Sequence, residues 1–178
     1  NSIELIGGEN IVVKNCQLGA QPTGITCKVQ EVNKLSFINN QVYPDGRENL
    51  VLDACNNCVI EGNNFKSYYN GILVLNGNDN TVNKNIFWLT GAVQNQLLDH
   101  GDDFGIINVK GNNNMVASNS LSCEWAYAGA VTVNAVQGTG NVFKNCFVDN
   151  LESYRVFLVN AQTEVSNCVS SDKVSIVE

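Results

Sequence analysis

The chain has 178 residues, of which 44% are hydrophobic and 15% charged, and a formal net charge of −7. That length supports one domain with a sizeable core, and the apolar content excludes a disordered chain. No apolar run is long enough to span a membrane, and the acidic balance argues against a nucleic-acid partner, which would call for a basic face.

Strand-like text begins at once. In chain order the segments "SIELIGG", "GITCKVQ", "NLVLDAC", "GILVLNG", "GIINVKG", "GAVTVNA" and "VFLVNAQ" are β-branched and apolar with period-2 alternation. Between them recurs a second anchor, Asn-x-apolar, at Asn40, Asn63, Asn85, Asn119, Asn145 and Asn167, with a looser copy at Asn15. The spacings of the six clear anchors are 23, 22, 34, 26 and 22 residues. "GNDNTVNKNIF" (77–87) and "GNNNMVASNSL" (111–121) show the repeat most plainly.

A unit of this length with two or three short strands is one coil of a parallel β-helix. Leucine-rich repeats would need a leucine pattern that is missing, and a β-sandwich would not keep register over so many units. The expectation is an all-β, single-stranded parallel β-helix, one domain over 1–178. About seven coils of 22–26 residues are interrupted by one inserted loop at 88–105. Stacked coils put equivalent residues in columns about 4.8 Å apart. The asparagines are then turn residues that tolerate left-handed backbone and bond one another along a column.

Alternation selects the outward residue of each first strand. That column reads Glu4, Lys28, Val51, Val74, Asn108, Thr132, Leu158, and the register sets the Lys28 ammonium beside the Glu4 carboxylate. Tyr43, Tyr68, Tyr69, Trp88, Trp125, Tyr127 and Tyr154 all follow an Asn-x-apolar strand. They fall along one side, either as a sugar-stacking or subunit-facing ridge or as loop residues packed on their own coil. In the inserted loop, Asp99, His100, Asp102 and Asp103 cluster, either as acid/base or cation-binding groups or as turn formers.

Seven cysteines leave at least one unpaired. Cys55 and Cys58 form a C-x-x-C, but a zinc site needs further ligands and His100 is the only histidine. The cysteines read as small apolar wall residues, which leaves the redox compartment open. With no initiator methionine, signal peptide or targeting tail in view, the expectation is that processing removed a segment or that the chain is a piece of a longer protein, lacking N-terminal coils.

The segments "NNQVYPDGRENLVLDACNNCVIEGNNFKSYYNGILVLNGNDNTVNKNIF" and "GDDFGIINVKGNNNMVASNSL" resemble the inulin fructotransferases and the related difructose-anhydride hydrolases. The resemblance runs from Asn1 to about Leu121 and continues more weakly beyond. It implies a right-handed β-helix, a secreted homotrimer with sites at subunit interfaces, and release of a cyclic difructose anhydride from inulin without metal or organic cofactor. It assigns the chemistry to an aspartate and a glutamate, one protonating the leaving oxygen and the other activating the attacking hydroxyl. "NSIEL" matches the segment of the family's glutamate, Glu4 here, and places the aspartate before Asn1. Arg47 in "PDGR" matches an arginine of the corresponding turn, and Asp102 and Asp103 match an acidic pair. Lys28 and Asn108 join them as substrate-binding candidates on the outward column. Val51 and Val74 depart from the family, where polar or charged residues are expected. Three readings compete: an enzyme fragment, a carbohydrate-binding β-helix without turnover, and a structural or interaction solenoid. The favoured expectation is a fructotransferase-like chain that is inactive alone.

Overall fold

The computed structural model describes residues 2–19, 24–43, 47–68, 71–90, 104–123, 131–149, 155–170 and 173–177. Strands are numbered in chain order. Coil one carries β1 (Ile3–Glu9), β2 (Val12–Lys14) and β3 (Gln17–Leu18), and coil two β4 (Ile25–Asn33), β5 (Ser36–Ile38) and β6 (Gln41–Val42). Coil three has β7 (Glu48–Asp53), β8 (Val59–Glu61) and β9 (Asn64–Ser67), and coil four β10 (Leu73–Asn76), β11 (Thr81–Asn83) and β12 (Ile86–Leu89). Coil five has β13 (Ile107–Val109), β14 (Met115–Ala117) and β15 (Ser120–Cys123), and coil six β16 (Val133–Ala135), β17 (Val142–Lys144) and β18 (Phe147–Asp149). Coil seven has β19 (Phe157–Asn160) and β20 (Glu164–Ser166), and β21 (Val174–Val177) follows.

Up to β20 every third strand pairs in parallel with its equivalent in the next coil, and β21 pairs with β19. The result is three sheets of eight, seven and six strands. The first runs β1-β4-β7-β10-β13-β16-β19-β21, the second starts at β2 and the third at β3. A parallel β-helix of this kind buries one side chain of each alternating pair along its axis. Phe37, Phe65 and Phe87 stack there, with ring centroids 6.2 and 5.0 Å apart.

Two kinds of position define the corners on either side of the second sheet. One residue takes left-handed backbone: Asn15, Asn39, Gly62, Lys84, Ser118, Asn145 and Asn167 at the corner between the second and third sheets. The next residue turns inward, giving a column of Cys16, Asn40, Asn63, Asn85, Asn119, Cys146 and Cys168. Asn63 shows the bonding. Its Nδ2 donates to Asn85 Oδ1 at 2.9 Å and to Phe37 O at 2.8 Å, while its Oδ1 accepts from the Asn40 amide at 2.8 Å. Asn80, Asn114 and Asn141 repeat the arrangement at the preceding corner.

Two sequence expectations shift. The anchors at Asn145 and Asn167 belong to the left-handed position, not to the inward column of Asn119, which Cys146 and Cys168 continue. Because side chains alternate, that one-residue slip reverses their neighbours, so Phe147 is 53% exposed while Val148 is buried. In the outward column of the first sheet Asn108 pairs with Asn134, not with Thr132, which is buried. "GAVTVNA" alternates equally well in either frame, so a two-residue slip leaves the pattern unchanged.

Candidate functional site

The first sheet presents the predicted row. Glu4, Lys28, Val51, Val74, Asn108, Asn134 and Leu158 stand in register across seven strands. Lys28 Nζ donates to Glu4 Oε1 at 3.3 Å, with both side chains partly exposed. A pair this wet contributes at most about 1 kcal/mol to stability. It defines the polar end of the row, and Val51 and Val74 follow in the next two coils.

Asn108 lies three coils from Lys28 and is only 2% exposed. Its Oδ1 accepts the Gly105 N–H at 2.9 Å and its Nδ2 donates to Gly105 O at 2.8 Å. Alternation puts Asn108 in the outward column, yet the structure buries it against the backbone of Gly105. The amide is used locally, where a buried polar side chain needs its partners. Arg47 sits half-buried at the entrance of β7, and its backbone N–H donates to Gly24 O at 2.9 Å. Asp102 and Asp103 lie outside the described residues, as do Asp99, His100 and most of the inserted loop. Among the described residues no group of three His, Cys, Asp or Glu side chains is placed to hold a metal ion.

The neighbouring outward row was missed. Two residues along each strand stand Ile6, Gln30, Asp53 and Asn76. Asp53 Oδ1 accepts from Asn76 Nδ2 at 2.7 Å, and its Oδ2 accepts from Gln30 Nε2 at 3.4 Å. The same alternation that picked Lys28 and Val51 would have picked Gln30 and Asp53 two positions later. On the third sheet, Tyr43, Lys66 and Trp88 continue one outward column, with Lys66 Nζ 4.1 Å from the Trp88 ring centroid. Tyr43 and Tyr68 are exposed, while Tyr69, Trp125, Tyr127 and Tyr154 lie outside the described residues.

The family model for the right-handed β-helix region matches residues 23–176. The chain belongs to the right-handed β-helix family. A comparison of this β-helix with curated proteins finds no match. Among solved structures it is similar to DFA-IIIase from Arthrobacter chlorophenolicus A6 in complex with GF2, at TM-score 0.80 and 22% identity, covering 97% of this chain and 46% of that one. The same enzyme without its lid matches at TM-score 0.79 and 22% identity, covering 96% and 45%. A cysteine-to-alanine variant in complex with DFA-III matches at TM-score 0.76 and 20% identity, covering 97% and 48%. At such identities the likeness is one of fold, and this β-helix spans about half the length of the structures it matches.

Proposed function

We propose that this β-helix offers a sugar-binding face of the fructotransferase type, that its ligands are fructose oligosaccharides, and that the chain alone does not turn inulin over. The observation that carries the reading is the outward row of the first sheet, with one carboxylate, Glu4, paired to Lys28 and then two valines. Glycosyl transfer of this type needs an acid and a base on either side of the bond. Valine can be neither. The next carboxylate on the face, Asp53, is two coils up and two residues along from Glu4, a backbone separation of about 12 Å from strand spacing and rise. Its oxygens are directed to Gln30 and Asn76. Arg47, Asp102 and Asp103 remain proposed substrate contacts, and a homotrimer is the proposed assembly, both on the resemblance.

Support for the ligand class comes from the neighbours, whose crystals hold GF2 and DFA-III. The test is incubation with inulin followed by chromatography for difructose anhydride, alongside calorimetric titration with a fructose oligosaccharide. The expected outcome is binding without product. Product that disappears in Glu4→Gln would overturn the inactive reading. Neither product nor binding would leave an interaction scaffold, the reading favoured by Ile86, Met115 and Phe147, which stand exposed on the second and third sheets.

A further inference from the structure

We propose that Cys146 and Cys168 form a covalent modification site, at which peroxide joins them in a disulfide that staples coil six to coil seven. They occupy successive slots of the inward corner column that asparagines fill in coils two to five. The Cys146 N–H donates to Cys168 Sγ at 3.4 Å. The flanking backbone is in register, with Asn145 N–H bonded to Ser166 O at 3.1 Å and Val169 N–H to Cys146 O at 3.0 Å. Neighbouring strands lie about 4.8 Å apart, within the Cα separations of about 4.4–6.8 Å that a disulfide spans.

No other two cysteines stand directly above one another. Cys16 is followed in its column by Asn40, and Cys27 pairs with Ile3 and Leu50. The amide above Cys58 is that of Asn80, and Cys123 pairs with Leu89. Cys55 backs onto Gly77. In an asparagine slot the amide bonds its neighbours up and down the column. A thiol does this poorly, so the two substitutions leave the corner of the last coils with weaker hydrogen bonds and a sulfur pair in their place.

The chemistry balances with hydrogen peroxide as oxidant. The Cys168 thiolate attacks one peroxide oxygen, an S–O bond forms, the O–O bond breaks and hydroxide leaves. Cys168 is then a sulfenic acid. The Cys146 sulfur attacks it, the S–S bond forms, the S–O bond breaks, and the oxygen departs as water with the Cys146 proton. Two thiols are oxidised and one peroxide is reduced to two waters. The order of attack follows from the pair itself. The hydrogen bond from the Cys146 side chain brings Cys168 down to about 7, while the same contact and burial push Cys146 up. Cys168 is also the more accessible, at 6% against 3%.

The experiment treats the reduced 178-residue chain with stoichiometric peroxide, maps peptides by mass spectrometry, and counts thiols after denaturation. The expected result is one cross-linked peptide pair containing Cys146 and Cys168, reversed by dithiothreitol. The titre should fall from seven thiols to five, the seven of the sequence less the two joined. Cys146→Ser should accumulate a sulfenic acid on Cys168 that dimedone traps. Should that variant not fold, dimedone added with peroxide to the wild-type chain should label Cys168 and suppress the cross-link. Cys55→Ser should leave the cross-link unchanged. An unchanged titre, or bridges that join other cysteines, would overturn the proposal.

Discussion

Asn85 is fully buried and uses every polar atom of its side chain. Its Nδ2 donates to Asn119 Oδ1 at 3.0 Å and to Ile60 O at 2.9 Å, and its Oδ1 accepts from both the backbone and the side chain of Asn63. Replacing it by alanine strands the partners in a dry interior, so Asn85→Ala should cost about 2–4 kcal/mol, read from urea unfolding. Asn112 makes similar bonds to Asn78 but in water. Asn112→Ala should therefore cost under about 1 kcal/mol; equal losses at the two sites would refute the burial argument. The thiols supply a pH dependence. Burial pushes Cys27 from 9.0 up to about 12 and Cys58 up to about 11. In the unfolded chain these thiols ionise near their ordinary value while the folded ones stay protonated. Their contribution is thus full below about pH 9 and is lost as pH rises toward 11–12. Urea midpoints should fall over that window, and Cys27→Ala should fall less steeply than the wild type. Parallel curves would show that Cys27 does not contribute.

At the level of the element, the corners decide the coil. At the corner between the second and third sheets one left-handed residue is followed by one inward residue, and where two coils approach closely at Gly77 and Gly111 the chain uses glycine. A Cβ built on Gly111 would overlap the Gly77 carbonyl of the coil beneath, which is backbone and cannot swing away. Gly111→Ala should therefore destabilise by about 3 kcal/mol or more, or prevent folding. Gly7 also has positive φ but meets nothing within 4 Å, so Gly7→Ala should cost only about 1 kcal/mol, the left-handed penalty alone. Comparable unfolding midpoints for the two variants would contradict this. The strands themselves were legible from alternation, because period 2 is a local property. The corner slots at Asn145 and Asn167 were not. A cysteine stands where earlier coils have asparagine, and only the stacking contact with the coil below shows which residue turns inward.

Across the whole molecule, three parallel sheets place chemistry by face. The first sheet gathers Glu4 and Lys28, with Gln30, Asp53 and Asn76 beside them, from four coils far apart in the chain. The third gathers Tyr43, Lys66 and Trp88. Binding of fructose oligosaccharide without conversion of inulin is the prediction that belongs to this scale, since it depends on what one face does and does not bring together.

By itself the sequence determined the repeat, the all-β parallel coil and the pairing of Glu4 with Lys28, because a solenoid turns spacing along the chain directly into stacking in space. Only the tertiary structure decided that Asn108 is consumed by Gly105, that Asn134 and not Thr132 continues the outward row, and that Cys146 meets Cys168. Each depends on burial or on a one- or two-residue choice of frame that alternation alone leaves equal, and packing against the neighbouring coil breaks the tie.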